Sequence, residues 1–180
     1  GRPVIGICAA GLFPTSEGAF LCSFDAATGE ERTNRPIDIS ANGPLAASDA
    51  RLALPTGRTA PILFSRKDGR KLDGIPSPGG DVVFFAGDVV VAGCGDVDEK
   101  LDVSDAGSCE HLASLPGRRA ALTAGRAYVL SRTQLAALDW TKFLPLARKR
   151  APLARRYGQI RRRGGSAIAA EKRSEEHTSE

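Results

Sequence analysis

The chain is 180 residues long, and 42% of these are apolar and 26% charged, which excludes a wholly disordered chain, a collagen-like protein and a disulfide-dense miniprotein. Its longest apolar runs, at 82–86 and 89–92, are far below the roughly 18 residues that a membrane helix needs, so no membrane span is predicted. The net charge is +4, but residues 1–140 carry −3 and residues 141–180 carry +7. The basic character therefore belongs to the C-terminal segment.

The two ends of the sequence indicate a fragment. The chain contains no methionine, and residues 173–180 resemble a translated sequencing adapter. We expect residues 173–180 to be an adapter-derived artefact, and we exclude His177 from functional reasoning with them.

Short apolar segments alternate with turns along the body of the chain. Strands are predicted at 44–48, 51–54, 61–65, 81–86, 89–92, 119–123 and 126–130. Arg51, Asp88 and Arg126 take equivalent hairpin positions, 37 and 38 residues apart. A repeat of roughly 40 residues with four short strands is typical of a β-propeller blade. A β-sandwich is the alternative from strand spacing alone.

Turn motifs within these repeats carry a family resemblance. Residues 21–30 resemble the repeat signature of pyrroloquinoline-quinone (PQQ) type proteins, in which a strand ending in Asp is followed by a Thr-Gly turn. The Asp carboxylate can accept turn amide hydrogens, and the glycine supplies a positive φ. Similar elements follow at 64–69 and at 135–140. The signature residues are Asp25, Thr28, Gly29, Asp68, Gly69 and Asp139.

Residues 10–143 as a whole resemble PQQ-like, quinoprotein-type β-propeller repeat proteins of planctomycete-type bacteria. The resemblance implies a mainly β fold: a partial β-propeller, similar to quinoprotein alcohol dehydrogenases, with about two to three blades of four-stranded antiparallel sheets in residues 1–139. The family's tryptophan after the Thr-Gly turn would fall near Thr33 and is absent.

The same resemblance sets the functional expectation. It implies a non-catalytic binding or scaffold domain that is periplasmic or otherwise exported. Its expected partners are a protein or an envelope polymer, and the remaining blades of the parent chain. True quinoprotein dehydrogenases hold PQQ with a vicinal cysteine pair, and the sequence has none, so we assign no catalytic, cofactor or metal residue. The alternative is part of a PQQ- and calcium-dependent dehydrogenase whose catalytic residues lie outside the sequence.

The four cysteines allow three pairings, and none has Cys-x-x-Cys spacing. Cys94 and Cys109 bracket residues 95–108, which we interpret as the longest loop between strands. A disulfide between them would restrict the unfolded chain in an oxidising compartment. Buried free thiols are the alternative, especially for Cys22.

The acidic residues of this loop lack the order of an EF-hand, and a solvated surface is the default interpretation. His111 is the only histidine left outside the adapter-like tail. We therefore predict neither a Ser-His-Asp triad nor a zinc site.

The C-terminal segment predicts a basic amphipathic helix over 140–172, with Asp139 as its N-cap. Pro152 is expected to kink or restart it. We interpret its basic residues as a solvated face without a nucleic-acid partner, and a helix module for nucleic acid or a membrane surface is the alternative. The apolar positions are Phe143, Leu146, Ala147, Leu153, Ala154, Tyr157 and Ile160.

Overall fold

The computed structural model describes residues 4–9, 19–39, 41–77, 79–93, 99–123 and 125–177. The chain divides into two compact units, residues 1–139 and 140–180. In the described residues the first unit is built of β-strands and the second of one α-helix.

The described strands of the first unit form four antiparallel sheets. In the described part of the chain these strands are β1 (Val4–Ala9), β2 (Ala19–Phe24), β3 (Glu31–Ile37), β4 (Ala46–Ala47), β5 (Arg51–Leu54), β6 (Ile62–Ser65), β7 (Lys71–Gly74), β8 (Val82–Ala86), β9 (Val89–Gly93), β10 (Lys100–Asp105), β11 (His111–Pro116), β12 (Arg119–Leu122), β13 (Arg126–Leu130) and β14 (Leu135–Asp139).

Each sheet is a meander of strands that follow one another in the sequence. The first sheet has the order β1-β2-β3, the second β4-β5-β6-β7, the third β8-β9-β10-β11 and the fourth β12-β13-β14. All pairings are antiparallel. The expected mainly β fold with four-stranded antiparallel sheets and a C-terminal helix is confirmed, and two three-stranded sheets accompany the two of four strands.

The core consists of layers between neighbouring sheets. Successive side chains of a strand point to opposite faces, and β5 and β6 are buried on both. One layer joins Leu21 of the first sheet to the second sheet, with Leu52, Leu54 and Phe64. The other layer joins the second sheet to the third, and its buried members are Ala53, Leu63, Ile75, Val83, Val90 and Ala92. The second sheet thus packs between its two sequence neighbours.

The predicted loop at 95–108 is wrong. Strand β10 occupies Lys100–Asp105 and pairs with both β9 and β11. Leu101 and Val103 are fully buried, and Asp102 and Ser104, which alternate with them, are buried as well. Polar residues at alternate positions gave this strand the appearance of a solvated segment. Residues 94–98 lie outside the described part of the chain.

The second unit is the helix α1 (Trp140–His177), which contains Pro145 and Pro152. Of the predicted kink or restart at Pro152, the restart is wrong, because the helix runs through this residue. A proline removes one backbone hydrogen bond and destabilises a helix interior by about 3 kcal/mol, which a long helix can absorb. The rings of Trp140 and Phe143 stack in the first turn with centroids 5.4 Å apart. Across the described residues, no helix combines the length and apolarity that crossing a membrane requires.

Candidate functional site

The turn between β2 and β3 has the geometry that its sequence predicts. Asp25 Oδ1 accepts hydrogen bonds from the backbone N–H groups of Ala27 at 2.9 Å and Thr28 at 3.0 Å. The N–H of Gly29 donates to the Asp25 carbonyl at 2.9 Å. Gly29 has a φ of +73°, in the left-handed region that glycine adopts without steric cost.

The turn between β10 and β11 repeats this arrangement and was missed in the sequence. Asp105 Oδ1 accepts from the N–H groups of Gly107 at 2.9 Å and Ser108 at 2.8 Å. The N–H of Cys109 donates to the Asp105 carbonyl at 2.9 Å. Cys109 has a φ of +61°, so a cysteine takes the place of the glycine.

The turn between β6 and β7, at the predicted similar element 64–69, has the same backbone closure with different side chains. The N–H of Gly69 donates to the Ser65 carbonyl at 2.8 Å, so Ser65 takes the place of Asp25. Asp68 takes the place of Thr28, since its Oδ1 accepts from the Arg70 N–H at 3.2 Å. The turns therefore begin at residues 25, 65 and 105, at a constant interval of one repeat.

Asp139 ends β14, and α1 begins at the next residue. A helix therefore follows the third strand of the fourth sheet at the point where a tight turn follows the third strand of the second and third sheets. An aspartate suits both, because its carboxylate can accept amide hydrogens in a turn or at a helix N-terminus.

Local hydrogen bonds hold the Asp25 carboxylate in its charged form. The N–H groups of Thr28 and Ala27 and the side chain of Arg32 lower the pKa of Asp25 from 3.8 to about 2. The pKa of Asp68 is also lowered, first by a hydrogen bond from the Ser65 side chain and then by the Arg70 N–H.

The low pKa of Asp25 predicts a pH dependence of stability. Ionised Asp25 favours the folded state, so its contribution is complete above the unfolded pKa near 4 and is lost as the pH falls to about 2. Carboxyl-resolved NMR titration of the folded protein should give a midpoint near 2 for Asp25, and Asp25→Asn should remove this part of the acid sensitivity. A midpoint near 3.8 would contradict the turn geometry.

The positive φ of Gly29 predicts a conformational penalty for any side chain there. A Cβ added at Gly29 meets no atom within 4 Å, so Gly29→Ala should lower the free energy of unfolding by about 1–2 kcal/mol through backbone strain alone. Gly158 also has open space around it but lies within α1, so Gly158→Ala should raise stability by about 1 kcal/mol. Urea titrations of the two variants should shift in opposite directions, and equal shifts would refute the assignment.

The predicted Cys94–Cys109 disulfide stays a prediction. Cys94 lies outside the described residues. Cys109 is half-buried, and its Sγ lies 3.9 Å from Arg51 Nη1. Cys22 is buried in β2.

A groove runs between the first and second sheets. It consists of a cavity of about 190 Å3 and an adjoining one of about 290 Å3, which share Arg35 and Gly69 in their linings. Its accessible apolar lining comes from the half-buried Ile37 and Ile39, and the buried side chains of Leu21, Leu52 and Phe64 lie beneath it. Two carboxylates, those of Asp38 and Asp68, face six cationic side chains: Arg32, Arg35, Arg66, Lys67, Arg70 and Lys71.

Fixed contacts orient two of the groove's cations. Arg32 donates to the Asp25 carboxylate in an ion pair. Arg66 Nη1 donates to the Ser48 carbonyl at 2.8 Å, and its backbone N–H donates to the Ala50 carbonyl at 2.9 Å. The side chain of Arg35 is exposed. The groove therefore presents an excess of positive charge beside apolar surface.

A second cleft of about 510 Å3 lies between the second and third sheets. Arg51 crosses it, with Nη2 donating to the Gly107 carbonyl at 2.8 Å. The cleft lining also contains Arg70 and Lys71. Arg51 thus attaches the start of β5 to the turn of the next sheet.

The third sheet brings Asp102, His111 and Ser114 together, a cluster that no motif in the sequence indicates. Ser114 Oγ donates to Asp102 Oδ1 at 2.7 Å, and His111 Nε2 lies 3.2 Å from the same oxygen and 3.1 Å from Ser114 Oγ. A catalytic triad places the imidazole between the hydroxyl and the carboxylate through its two different nitrogens. Here one nitrogen faces both groups, and Lys100 Nζ adds an ion pair at 3.3 Å. The cluster compensates the burial of Asp102, which is 3% exposed.

Comparisons with known proteins give structural neighbours only. No protein-family model and no curated protein matches the chain, whereas 61 chains of solved structures do. BamB from Moraxella catarrhalis is 17% identical with a TM-score of 0.54, and the match covers 71% of this chain and 42% of BamB. The computationally designed protein Ika8 is 13% identical with a TM-score of 0.54, and the match covers 77% of this chain and 43% of Ika8. The chain thus spans less than half the length of either neighbour.

The fold is that of a partial β-propeller. The four described sheets take the place of blades, where the sequence predicts about two to three, because two three-stranded sheets accompany the two of four strands. The groove lies between the first and second blades. The signature residues Asp25, Thr28 and Gly29 close one blade turn, Asp68 and Gly69 close the next, and Asp139 ends a strand of the fourth blade. They are repeat positions and do not converge on one site.

The groove itself could have been anticipated from one departure in the sequence. In the repeat family that the sequence resembles, a blade-docking tryptophan would stand near Thr33, and Thr33 lines the groove. A small polar side chain there leaves room between blades that an indole ring would fill. In the part of the chain that the structure describes, no group of three or more His, Cys, Asp or Glu side chains is arranged to hold a metal ion.

Proposed function

We propose that this chain is part of a PQQ-like β-propeller repeat protein that acts as a non-catalytic binding domain, and that the groove between its first two blades binds an acidic protein segment. The propeller fold and the repeated Asp-x-x-Thr/Ser turns support the repeat type. The groove supports the binding role. An envelope polymer is the other expected partner, and it becomes an outcome of the test below.

The observation that carries this proposal is the chemistry of the groove. Six cationic side chains stand against two carboxylates, beside the half-buried apolar side chains of Ile37 and Ile39. Complementary charge gives specificity and speeds association, and an apolar lining beside it suits a segment that mixes carboxylates with apolar side chains. A polymer without apolar groups would bind the cations and leave the apolar lining in contact with water.

Charge reversal in the groove tests the proposal. The Arg35→Glu, Lys67→Glu double variant should bind a fluorescein-labelled peptide of alternating glutamate and leucine at least about tenfold more weakly than the parent in anisotropy titrations. The matched control reverses Arg58 and Arg126, which are exposed and lie outside the groove lining. It makes the same change in net charge, and any binding by the basic helix is common to both variants.

Equal affinities of the two double variants would refute the groove as the binding site. If an acidic polysaccharide displaces the labelled peptide more strongly than the unlabelled peptide does, the partner of the groove is a polymer and the protein partner is refuted.

We also propose the cofactor binding, location and source of the protein. The chain itself binds neither PQQ nor calcium, so calorimetric titration with either should show no saturable heat. The parent protein is exported to the periplasm or beyond, as the family resemblance suggests. It is bacterial, and fractionation of a host that expresses the full-length parent would test its location.

A further inference from the structure

We propose that α1 binds anionic lipid surfaces, lying in the plane of the membrane interface. The proposal concerns the second unit alone and does not depend on the groove or on the function proposed for the propeller.

The first observation is the charge of the helix. Residues 140–163 contain nine Lys and Arg residues and no Asp or Glu. Each cation close to an anionic membrane contributes about 1 kcal/mol to binding. An uninterrupted cationic segment of this length therefore favours an anionic partner.

The second observation is an exposed apolar stripe on the same helix. The exposed fractions of its four side chains are 66% for Leu146, 64% for Leu153, 69% for Tyr157 and 60% for Ile160. They are spaced by seven, four and three residues, each close to whole turns at 3.6 residues per turn, so they align along one side. The buried side chains of the helix, Trp140, Ala147 and Ala151, fall on a different side by the same spacing.

The third observation is the placement of the cations around this stripe. At 100° per residue, Lys149, Arg156 and Arg163 follow one flank and Arg150 and Arg161 the other. Long cationic side chains can extend their charge to headgroups while their methylene stems lie on apolar surface. The stripe and both flanks therefore form one amphipathic surface.

A lipid interface uses every part of this surface. An interfacial amphipathic helix buries its apolar side chains about 5–10 Å into the headgroup and acyl boundary while its cations bind anionic headgroups. A nucleic acid would use the cations and leave the four apolar side chains in water. The exposed apolar stripe is thus what favours lipid over nucleic acid.

Vesicle sedimentation of the full 180-residue chain tests the proposal. The parent should bind vesicles of equal parts phosphatidylcholine and phosphatidylglycerol and leave pure phosphatidylcholine vesicles unbound. The stripe variant Leu153→Gln, Ile160→Gln keeps all charges and should partition at least about tenfold more weakly. The flank variant Lys149→Gln, Arg156→Gln, Arg163→Gln should lose as much or more.

The control for the flank variant removes the same charge elsewhere on the helix, through Arg148→Gln, Arg155→Gln, Arg162→Gln. The vesicle affinity of this control should stay within about threefold of that of the parent chain. Circular dichroism should show the same helix content in every variant. The Arg35→Glu, Lys67→Glu variant should bind vesicles as the parent does, which separates this proposal from the groove.

Full binding by the stripe variant would overturn the proposal, because attraction by charge alone would then account for it. Binding to a double-stranded DNA probe without binding to anionic vesicles would overturn it in favour of a nucleic-acid surface. Equal losses of vesicle binding in the flank variant and its control would also overturn the proposal. The position of the cations beside the apolar stripe would then have no effect on binding.

Discussion

Replacing Phe64 by alanine is expected to lower the free energy of unfolding by about 3–5 kcal/mol, the usual range for deleting a buried aromatic ring. Phe64 is 1% exposed and lies in the layer between the first and second blades with Leu21, Leu52 and Leu54. The truncation leaves a cavity in that layer as well as losing apolar burial. Urea unfolding followed by circular dichroism measures the loss.

Two companion variants make this result specific to the packed layer. Phe64→Leu keeps most of the apolar volume and should lose less than about 1.5 kcal/mol. Leu135→Ala, at a side chain that is 70% exposed on β14, should change stability by no more than about 0.5 kcal/mol. A loss below 1 kcal/mol for Phe64→Ala would mean that the blades do not depend on this layer.

Gly93→Ala is expected to destabilise the third blade by about 3 kcal/mol, at the upper end of the range for overpacking. A Cβ on Gly93 would overlap the Lys100 carbonyl oxygen and lie 3.1 Å from the Leu101 Cα. Both are backbone atoms of the neighbouring strand β10, so no side-chain rotation relieves the contact. Thermal unfolding of the variant should show a lowered transition temperature.

The matched control is Gly74→Ala, also in a strand. The Cβ at Gly74 would meet its nearest neighbour, the Pro61 carbonyl oxygen, at an ordinary contact distance of 3.6 Å. Its stability should stay within about 0.5 kcal/mol of the parent. If both variants unfold like the parent, the close approach of β9 and β10 at Gly93 is wrong.

The repeat could be predicted because turns and strands carry local signals. Apolar runs on both sides of short polar turns predict three hairpins. The second strands of these hairpins begin in the structure at Arg51, Val89 and Arg126. The Asp25 turn was likewise predictable, since Asp, Thr and Gly each have a defined role within five residues. Local chemistry determines these elements, so a single sequence suffices for them.

Other features depend on contacts that a sequence pattern does not contain. Strand β10 alternates apolar residues with Asp102 and Ser104, and all four positions are buried, with Asp102 held by Ser114, His111 and Lys100 from its own sheet. The Asp105 turn was hidden because Cys109 stands where glycine is typical. The groove brings together cations from β3 and from the β6–β7 turn, whose proximity follows from blade stacking alone.

Backbone hydrogen bonds between residues five positions apart close three blade turns, and this has a consequence for the order of folding. The N–H groups of Asp25, Ser65 and Asp105 each donate to a carbonyl five residues later, on Glu30, Arg70 and Glu110. Such hairpins form on a scale of about 1–10 μs, whereas contacts between blades must first close loops of about a repeat in length. The hairpins should therefore exist as transient units before any layer is packed, and assembly should spread from blade to adjacent blade. Folding can then nucleate at any pair of adjacent blades. This is expected because each strand pairs with a neighbour in the sequence, which keeps the contact order low.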